Sequence, residues 1–183
     1  MDVLTGALTV LAVVLLRLLV LEFAVVRGSS MRQMLRNGEV MLVSLLDYRL
    51  RAPRRCEVVI CHYPNRRVKH LPFLKQQFVK RVIGLPGDTL EIIEGVVHIN
   101  GSPLEERYLD PARNRRAMNR GPLTLKADEY YVMGDNRDGS NDSRFVGPIT
   151  RRMLVGHVRR VIWPLRQGRG VSTASSYRQD TMA

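Results

Sequence analysis

Cysteine, histidine and acidic residues are all scarce in this chain of 183 residues, and each shortage closes a route to function. There are two cysteines, Cys56 and Cys61. On the strand-like run between them they would lie roughly 17 Å apart and on opposite faces. A disulfide needs Cα atoms within about 7 Å, so both are expected as free, buried thiols. The four histidines, His62, His70, His98 and His157, are scattered. They offer no metal-ligand spacing and no convincing partner to draw a proton from a serine. Acid is outnumbered: 17 Asp and Glu stand against 29 Lys and Arg, for a net charge of +12. Such a chain attracts anionic lipid, nucleic acid or acidic partners. The excess is densest between Arg49 and Arg81, where Glu57 is the lone acid among Arg49, Arg51, Arg54, Arg55, Arg66, Arg67, Lys69, Lys75, Lys80 and Arg81. No internal repeat is present.

What the chain has in plenty is a long apolar start. Val3 to Leu21 is almost wholly aliphatic, and about 19 helical residues cover roughly 28 Å, close to the hydrocarbon thickness of a bilayer. A cleavable leader would need a basic start and a small-x-small exit. Met1-Asp2 and Glu22-Phe23-Ala24-Val25-Val26 provide neither. The segment reads as a single membrane anchor, with Arg17 snorkelling to the nearer interface. Arg27, Arg32 and Arg36 follow it, and the positive-inside rule would keep the remainder in the cytoplasm. Folded domains translocate regardless of such charges, so the remainder is expected on the extracytoplasmic side. Between such an anchor and the basic stretch, a lipid surface is the expected anionic partner, and nucleic acid is not expected.

Beyond the anchor the pattern is short and β-like. Asn37-Gly38 marks a turn, Glu39–Val43 a strand, and Cys56–Cys61 another. His62 to Gln76, with two prolines and several basic residues, reads as an exposed loop. Gln77 to Ile83 reads as a strand carrying Lys80, followed by the turn Gly84–Asp88. Thr89–Ile93 and Val96–Ile99 spell a hairpin around Glu94-Gly95. Arg107 to Arg120 reads as a polar loop. Glu129–Met133 is a strand that delivers the dense polar run Gly134–Arg144. Met153 to Trp163 supplies at most a last strand pair, and Arg166 to Ala183 reads as a disordered tail. Three regions result: an anchor over 1–26, a mostly-β domain over 27–165 and a tail over 166–183.

Two stretches carry chemistry. Gly28-Ser29-Ser30-Met31 offers a hydroxyl just after the apolar run, and Lys80 sits among Val79, Val82 and Ile83. A serine becomes a nucleophile when a base removes its proton. A lysine can be that base if its neighbours strip water from the ammonium and lower its pKa by about two units, roughly 3 kcal/mol. In the polar run, Asp135, Asp138, Asp142, Arg137 and Arg144 can brace one another. Ser140 at its tip can take a hydrogen bond from Lys80 and aim it at Ser30.

Together these residues resemble bacterial type I signal peptidases, the serine/lysine enzymes that remove signal peptides from exported proteins. Ser30-Met31 with Leu35 is similar to the nucleophile box of that family. Lys80 to Asp88, reading KRVIGLPGD, is similar to its general-base box, and Gly134 to Arg144, reading GDNRDGSNDSR, to its third signature. The resemblance spans about Arg27 to Pro164. It implies a signal-peptidase-type β-fold behind a single transmembrane helix and cleavage of preprotein signal peptides through an acyl-enzyme. It also implies roles: Ser30 as nucleophile, Lys80 as general base, Ser140 as its orienter, and Asp135, Asp142 and Arg144 as braces. The oxyanion would be met by the Ser30 backbone N–H, helped by the Gly28-Ser29 segment. Some family members use a serine hydroxyl where this chain has Gly28. Met31, Leu35, Phe78 and Val79 are candidate pocket walls for an extended peptide whose residues before the cut are small. No metal or organic cofactor is implied, and the oligomeric state stays open. The family's usual Pro-Thr before the leucine of the first box is replaced by Gln33-Met34, which removes a φ-fixing ring. Two other readings stay open. One is a related serine/lysine peptidase with a different substrate. The other is a catalytically impaired, membrane-tethered basic module that binds lipid or nucleic acid.

Overall fold

The apolar start forms helix α1, Val3–Val20. The computed structural model describes residues 2–68, 71–111, 114–164 and 169–171, with the side chains of 11–19, 65–75 and 169 outside that description. Among the described residues no helix is long and apolar enough to cross a membrane. The chain leaves α1 directly into β1, Leu21–Val25, residues expected within the anchor. It then returns as β2, Val40–Ser44, which pairs antiparallel with β1 from Leu21↔Ser44 to Val25↔Val40. The Leu45 N–H donates to the Val20 carbonyl at 2.9 Å and ties the end of the helix to this hairpin.

A short helix α2, Asp47–Leu50, leads to the long hairpin of β3, Val58–Val68, and β4, Leu71–Gly84. This corrects the expectation of a loop over 62–76. The backbone continues its ladder through His62↔Gln77, Arg67↔Lys75 and Val68↔Leu71, with register shifts between those pairs. Pro64 falls inside the first shift, where a residue lacking an N–H costs no ladder bond. A smaller sheet follows: β5 (Thr89–Ile93), β6 (Val96–Ile99), β7 (Ser102–Pro103) and, after a long excursion, β8 (Arg120–Thr124). The chain then rejoins the main sheet as β9 (Glu129–Met133), turns through α3 (Ser143–Val146), and adds β10 (Ile149–Thr150), β11 (Leu154–Trp163) and β12 (Arg169–Gly170).

Among the described residues the main sheet runs β1-β2-β11-β3-β4-β9-β10, with β12 on β11, and the smaller one β7-β6-β5-β8. The mostly-β expectation holds. The expected strand pair over 153–163 is one strand seated between β2 and β3. Of the expected tail, Arg169–Gly170 pairs with β11 and Val171 packs into the core, while the rest lies outside the described residues.

Strand alternation splits the core. Val58 and Ile60 face one cluster with Met31, Leu35, Met41, Val43 and Val161. Val59 and Cys61 face the other with Val82, Tyr130, Val132, Ile149 and Leu154. A third cluster lies with the small sheet around Leu90, Ile92, Val97, Ile99 and Tyr131. Both cysteines are buried and unlinked, as expected.

Candidate active site

The site is assembled from three segments that the sheet brings together. The first is the turn after β1. Gly28 adopts φ +98°, a conformation few side chains tolerate, and its N–H donates to Asn37 Oδ1 at 3.0 Å. A tight turn follows, with the Arg32 N–H on the Ser29 carbonyl at 3.1 Å and the Leu35 N–H on the Met31 carbonyl at 2.7 Å. Met31 and Leu35 are fully sunk in the core. They clamp the turn from beneath and leave Ser30 at the surface of the domain, half-buried.

The second segment is β4. Val79 packs on one face of the sheet, and Phe78 and Val82 on the other. Lys80 therefore projects with Phe78 and Val82, across from Val59. It is 2% exposed. Its Nζ lies 2.7 Å from Ser30 Oγ, to which it donates when protonated, and 6.0 Å from the centre of the Phe78 ring. Among the described residues no carboxylate forms an ion pair with it. Burial therefore dominates, and it pushes the Lys80 pKa below the ordinary lysine value, with Asp142 and Asp135 opposing from a distance.

Arg81, one residue on, points to the other face and meets the opposite surroundings. It is fully buried and bonds both oxygens of Asp135, at 2.8 and 2.7 Å. It also donates to the Cys56 carbonyl at 2.8 Å and to Met34 Sδ at 3.3 Å, and stacks 3.9 Å from the Tyr108 ring centre. Two neighbouring cations are thus sorted by the pleat, one paired and one left alone with a hydroxyl.

The third segment is the polar run after β9. Asp142 caps α3 by accepting from the Arg144 N–H, and takes the Arg144 guanidinium at 2.8 and 2.9 Å. It also accepts the Gly134 N–H at 2.9 Å. Burial alone would raise the Asp142 pKa, but the Arg144 guanidinium overcomes it and holds the carboxyl below the usual range. Gly134 has no room for a side chain. A Cβ there would fall 2.3 Å from Ser140 Oγ and 2.6 Å from the Ser30 carbonyl oxygen. Asn136 pins the nucleophile turn: its N–H donates to the Ser30 carbonyl at 2.9 Å and its Nδ2 to the Ser29 carbonyl at 3.1 Å.

Several expectations need correction. Ser140 is buried beside the dyad, but its Oγ has no hydrogen-bond partner, so the expected Lys80–Ser140 bond is absent. The Gly28 N–H is spent on Asn37 and cannot serve an oxyanion. Met31 and Leu35 are buried in the core beneath the nucleophile turn, while Phe78 and Val79 remain partly exposed beside Lys80.

Sequence reasoning missed a strap whose described parts are residues 104–111 and 114–116. Glu106 pairs with the Arg137 guanidinium, Asn114 Oδ1 accepts the Arg137 N–H at 2.7 Å, and Asp138 accepts the N–H groups of Arg115 and Arg116 at 3.1 and 3.2 Å. Gln33 Oε1 accepts the Asp110 N–H at 3.0 Å. The strap thus fastens the nucleophile turn and the polar run to one another. The one available signal was Gln33-Met34 itself, two hydrogen-bonding side chains where a proline and a threonine are usual.

The family model for signal peptidase, peptidase S26, matches residues 3–163 of the chain. Signal peptidase I of Leptolyngbya laminosa is 34% identical over 163 residues, covering 89% of this chain and 79% of that one. Probable signal peptidase I-2 of Synechocystis sp. (strain ATCC 27184 / PCC 6803 / Kazusa) is 36% identical over 163 residues, covering 87% and 72%. Signal peptidase I of Bacillus caldolyticus is 33% identical over 169 residues, covering 86% and 88%. The chain belongs to the signal peptidase family, peptidase S26, and is a peptidase.

Proposed function

We propose that this chain is a membrane-anchored serine endopeptidase that removes signal peptides from exported preproteins by a Ser30/Lys80 mechanism. The observation that carries the mechanism is the 2.7 Å approach of a dehydrated lysine nitrogen to a serine hydroxyl. The family supports the substrate class. With Lys80 neutral, its nitrogen takes the Ser30 Oγ proton as the oxygen attacks the carbonyl carbon of the scissile bond. The resulting oxyanion faces the Ser30 N–H, which makes no hydrogen bond among the described residues. Lys80, now an ammonium, returns the proton to the departing amine, and the C–N bond breaks to leave an ester on Ser30. A water gives its proton to Lys80 and attacks that ester. The Ser30 Oγ–carbonyl bond breaks as Lys80 returns that proton to Oγ, and the product leaves as a carboxylic acid that ionises in solvent.

The anchor role rests on the apolar run of α1, whose 18 residues would cover about 27 Å. α1 hands the chain directly to β1, which would hold the catalytic sheet near the bilayer surface on the extracytoplasmic side. In this reading the domain begins at Leu21, and membrane lipid is a standing neighbour.

The test is to incubate the detergent-solubilised full chain with a preprotein and read the new N-terminus by mass spectrometry. The expected result is one cut that releases the signal peptide and is lost in both Ser30→Ala and Lys80→Ala. Full activity in Lys80→Ala would reject the mechanism.

A further inference from the structure

A cavity of about 690 Å³ opens one turn beyond Ser30. One wall is the nucleophile turn, with Arg32, Gln33 and Arg36. The other is the strap, with Tyr108, Leu109 and Asp110. Its charges are lopsided: two guanidinium groups face one carboxylate. Arg32 and Arg36 are exposed, and neither makes a side-chain hydrogen bond or ion pair among the described residues. They stand four residues apart on a turn whose path is fixed by Met31, Leu35 and the Gln33–Asp110 bond. Gln33, between them in sequence, fixes the turn to the strap through its Oε1 and keeps its Nε2 buried. The strap lines the side opposite the arginines, so the feature is an open, two-sided groove rather than a flat basic face. A pair of guanidinium groups, each a fork of N–H donors, matches a carboxylate.

We infer that this groove is a substrate subsite for an acidic side chain lying within about three residues of the cleaved bond, read by Arg32 and Arg36. The inference rests on the peptidase reading above. Arg32 is two residues from Ser30, and an extended peptide advances about 3.3 Å per residue. A side chain near the scissile bond can therefore reach the groove while its carbonyl sits at Ser30. A lipid phosphate has the same charge, but a groove between two segments, one of them the nucleophile turn itself, is better matched to a peptide side chain than to a bilayer plane.

The experiment uses the full chain in neutral detergent and a set of signal-peptide-derived peptides. The peptides differ only in carrying Glu, Gln or Lys at each of the three positions on either side of the cut. At one position Glu is expected to lower KM about fivefold relative to Gln, with Lys raising it, and the difference should shrink in high salt. In Arg32→Glu/Arg36→Glu the order should invert, with Lys preferred over Glu at that position. Each ratio is taken within one variant, so altered folding or concentration cancels. Equal KM values across the set, or a Glu preference that survives the charge reversal, overturn the subsite. If no peptide is cut, the peptidase reading has failed. The subsite is then judged by fluorescence anisotropy of the same labelled peptides on Ser30→Ala, where an arginine-dependent preference for Glu upholds it and equal binding overturns it. Flat peptide preferences, together with phosphatidylglycerol-vesicle binding that is lost on charge reversal, would assign the arginines to lipid phosphate instead.

Discussion

Ser30 and Ser44 each hydrogen-bond a titratable neighbour, and the contrast between them explains why one is suited to chemistry and the other is not. Ser44, Asp47 and His157 are the residue types of a familiar hydrolytic triad. Ser44 Oγ, however, donates to Asp47 Oδ1 at 2.7 Å rather than to the imidazole, and His157 Nδ1 sits 2.7 Å from Asp47 Oδ2. Arg159 adds a guanidinium 2.7 Å from the same carboxylate, and Arg51 lies beside His157 at 3.4 Å. The Asp47 carboxylate there is held by guanidinium groups, and the Ser44 hydroxyl is spent on that carboxylate instead of meeting the imidazole. At Ser30 the base has no ion-pair partner among the described residues, and burial rather than pairing sets its proton affinity. Pairing stabilises a charge where it stands, whereas isolation makes it ready to move.

The two clusters should respond to mutation in opposite ways. The largest effect is expected at the dyad: Ser30→Ala and Lys80→Ala should each lower kcat/KM on a preprotein by about a thousandfold or more, measured by gel or mass-spectrometric cleavage assay. Lys80→Met should nonetheless raise Tm by about 2–4 °C, since it removes a dehydrated amine. The sign with pH follows from linkage. The unfolded chain protonates this amine at the ordinary value and the folded chain only at a lower pH. Between those limits the unfolded state binds more protons and wild-type stability rises with pH. The gain from Lys80→Met is therefore full below the folded pKa and fades through that window, as calorimetry at several pH values can show.

Next in size are the buried ion pairs behind the dyad. Asp135→Ala strands Arg81 in the core and should lose about 3–5 kcal/mol of stability by urea unfolding. At the Ser44 cluster, Asp47→Asn should lose about 1–2 kcal/mol while leaving the acidic limb of the activity profile where it was. Several hydrogen bonds and Arg159 hold the Asp47 carboxyl well below the usual range against the opposing effect of burial. Its contribution is thus present above the ordinary carboxylate pKa and fades as pH falls toward the lowered one. A shifted acidic limb in Asp47→Asn would erase the distinction between the clusters. The smallest effect is expected at the strap: Gln33→Ala should lower kcat a few-fold, about 1 kcal/mol, and Gln33→Glu, which keeps the acceptor for the Asp110 N–H, should recover most of it.

Much of this arrangement was legible from residue order because it depends on local pattern. The period-2 run through Lys80 and Arg81, the Gly-rich polar run from Gly134 and the turn at Asn37-Gly38 all announce themselves. What was not legible depends on register between distant strands. The basic stretch over 62–76 looked like a loop because composition cannot show that β3 and β4 extend one another's ladder past Pro64. That Met31 and Leu35 pack into the core with β2 and β11 was not legible either, because an apolar residue beside a nucleophile suits a core as well as a cleft. The strap was hidden for the same reason: Gln33 and Asp110 meet across 77 residues, and the unusual Gln33-Met34 pair hints at a partner without saying where it lies.

The most direct measurement is an NMR titration of the Lys80 side chain, with lysine Nζ labelled and Lys80→Met used to assign the signal. The account predicts a lysine that loses its proton well below the ordinary lysine pKa, with the acidic limb of kcat/KM at the same pH. A Lys80 that titrates with the surface lysines, or an acidic limb that does not track it, would contradict the claim that burial makes this amine the base.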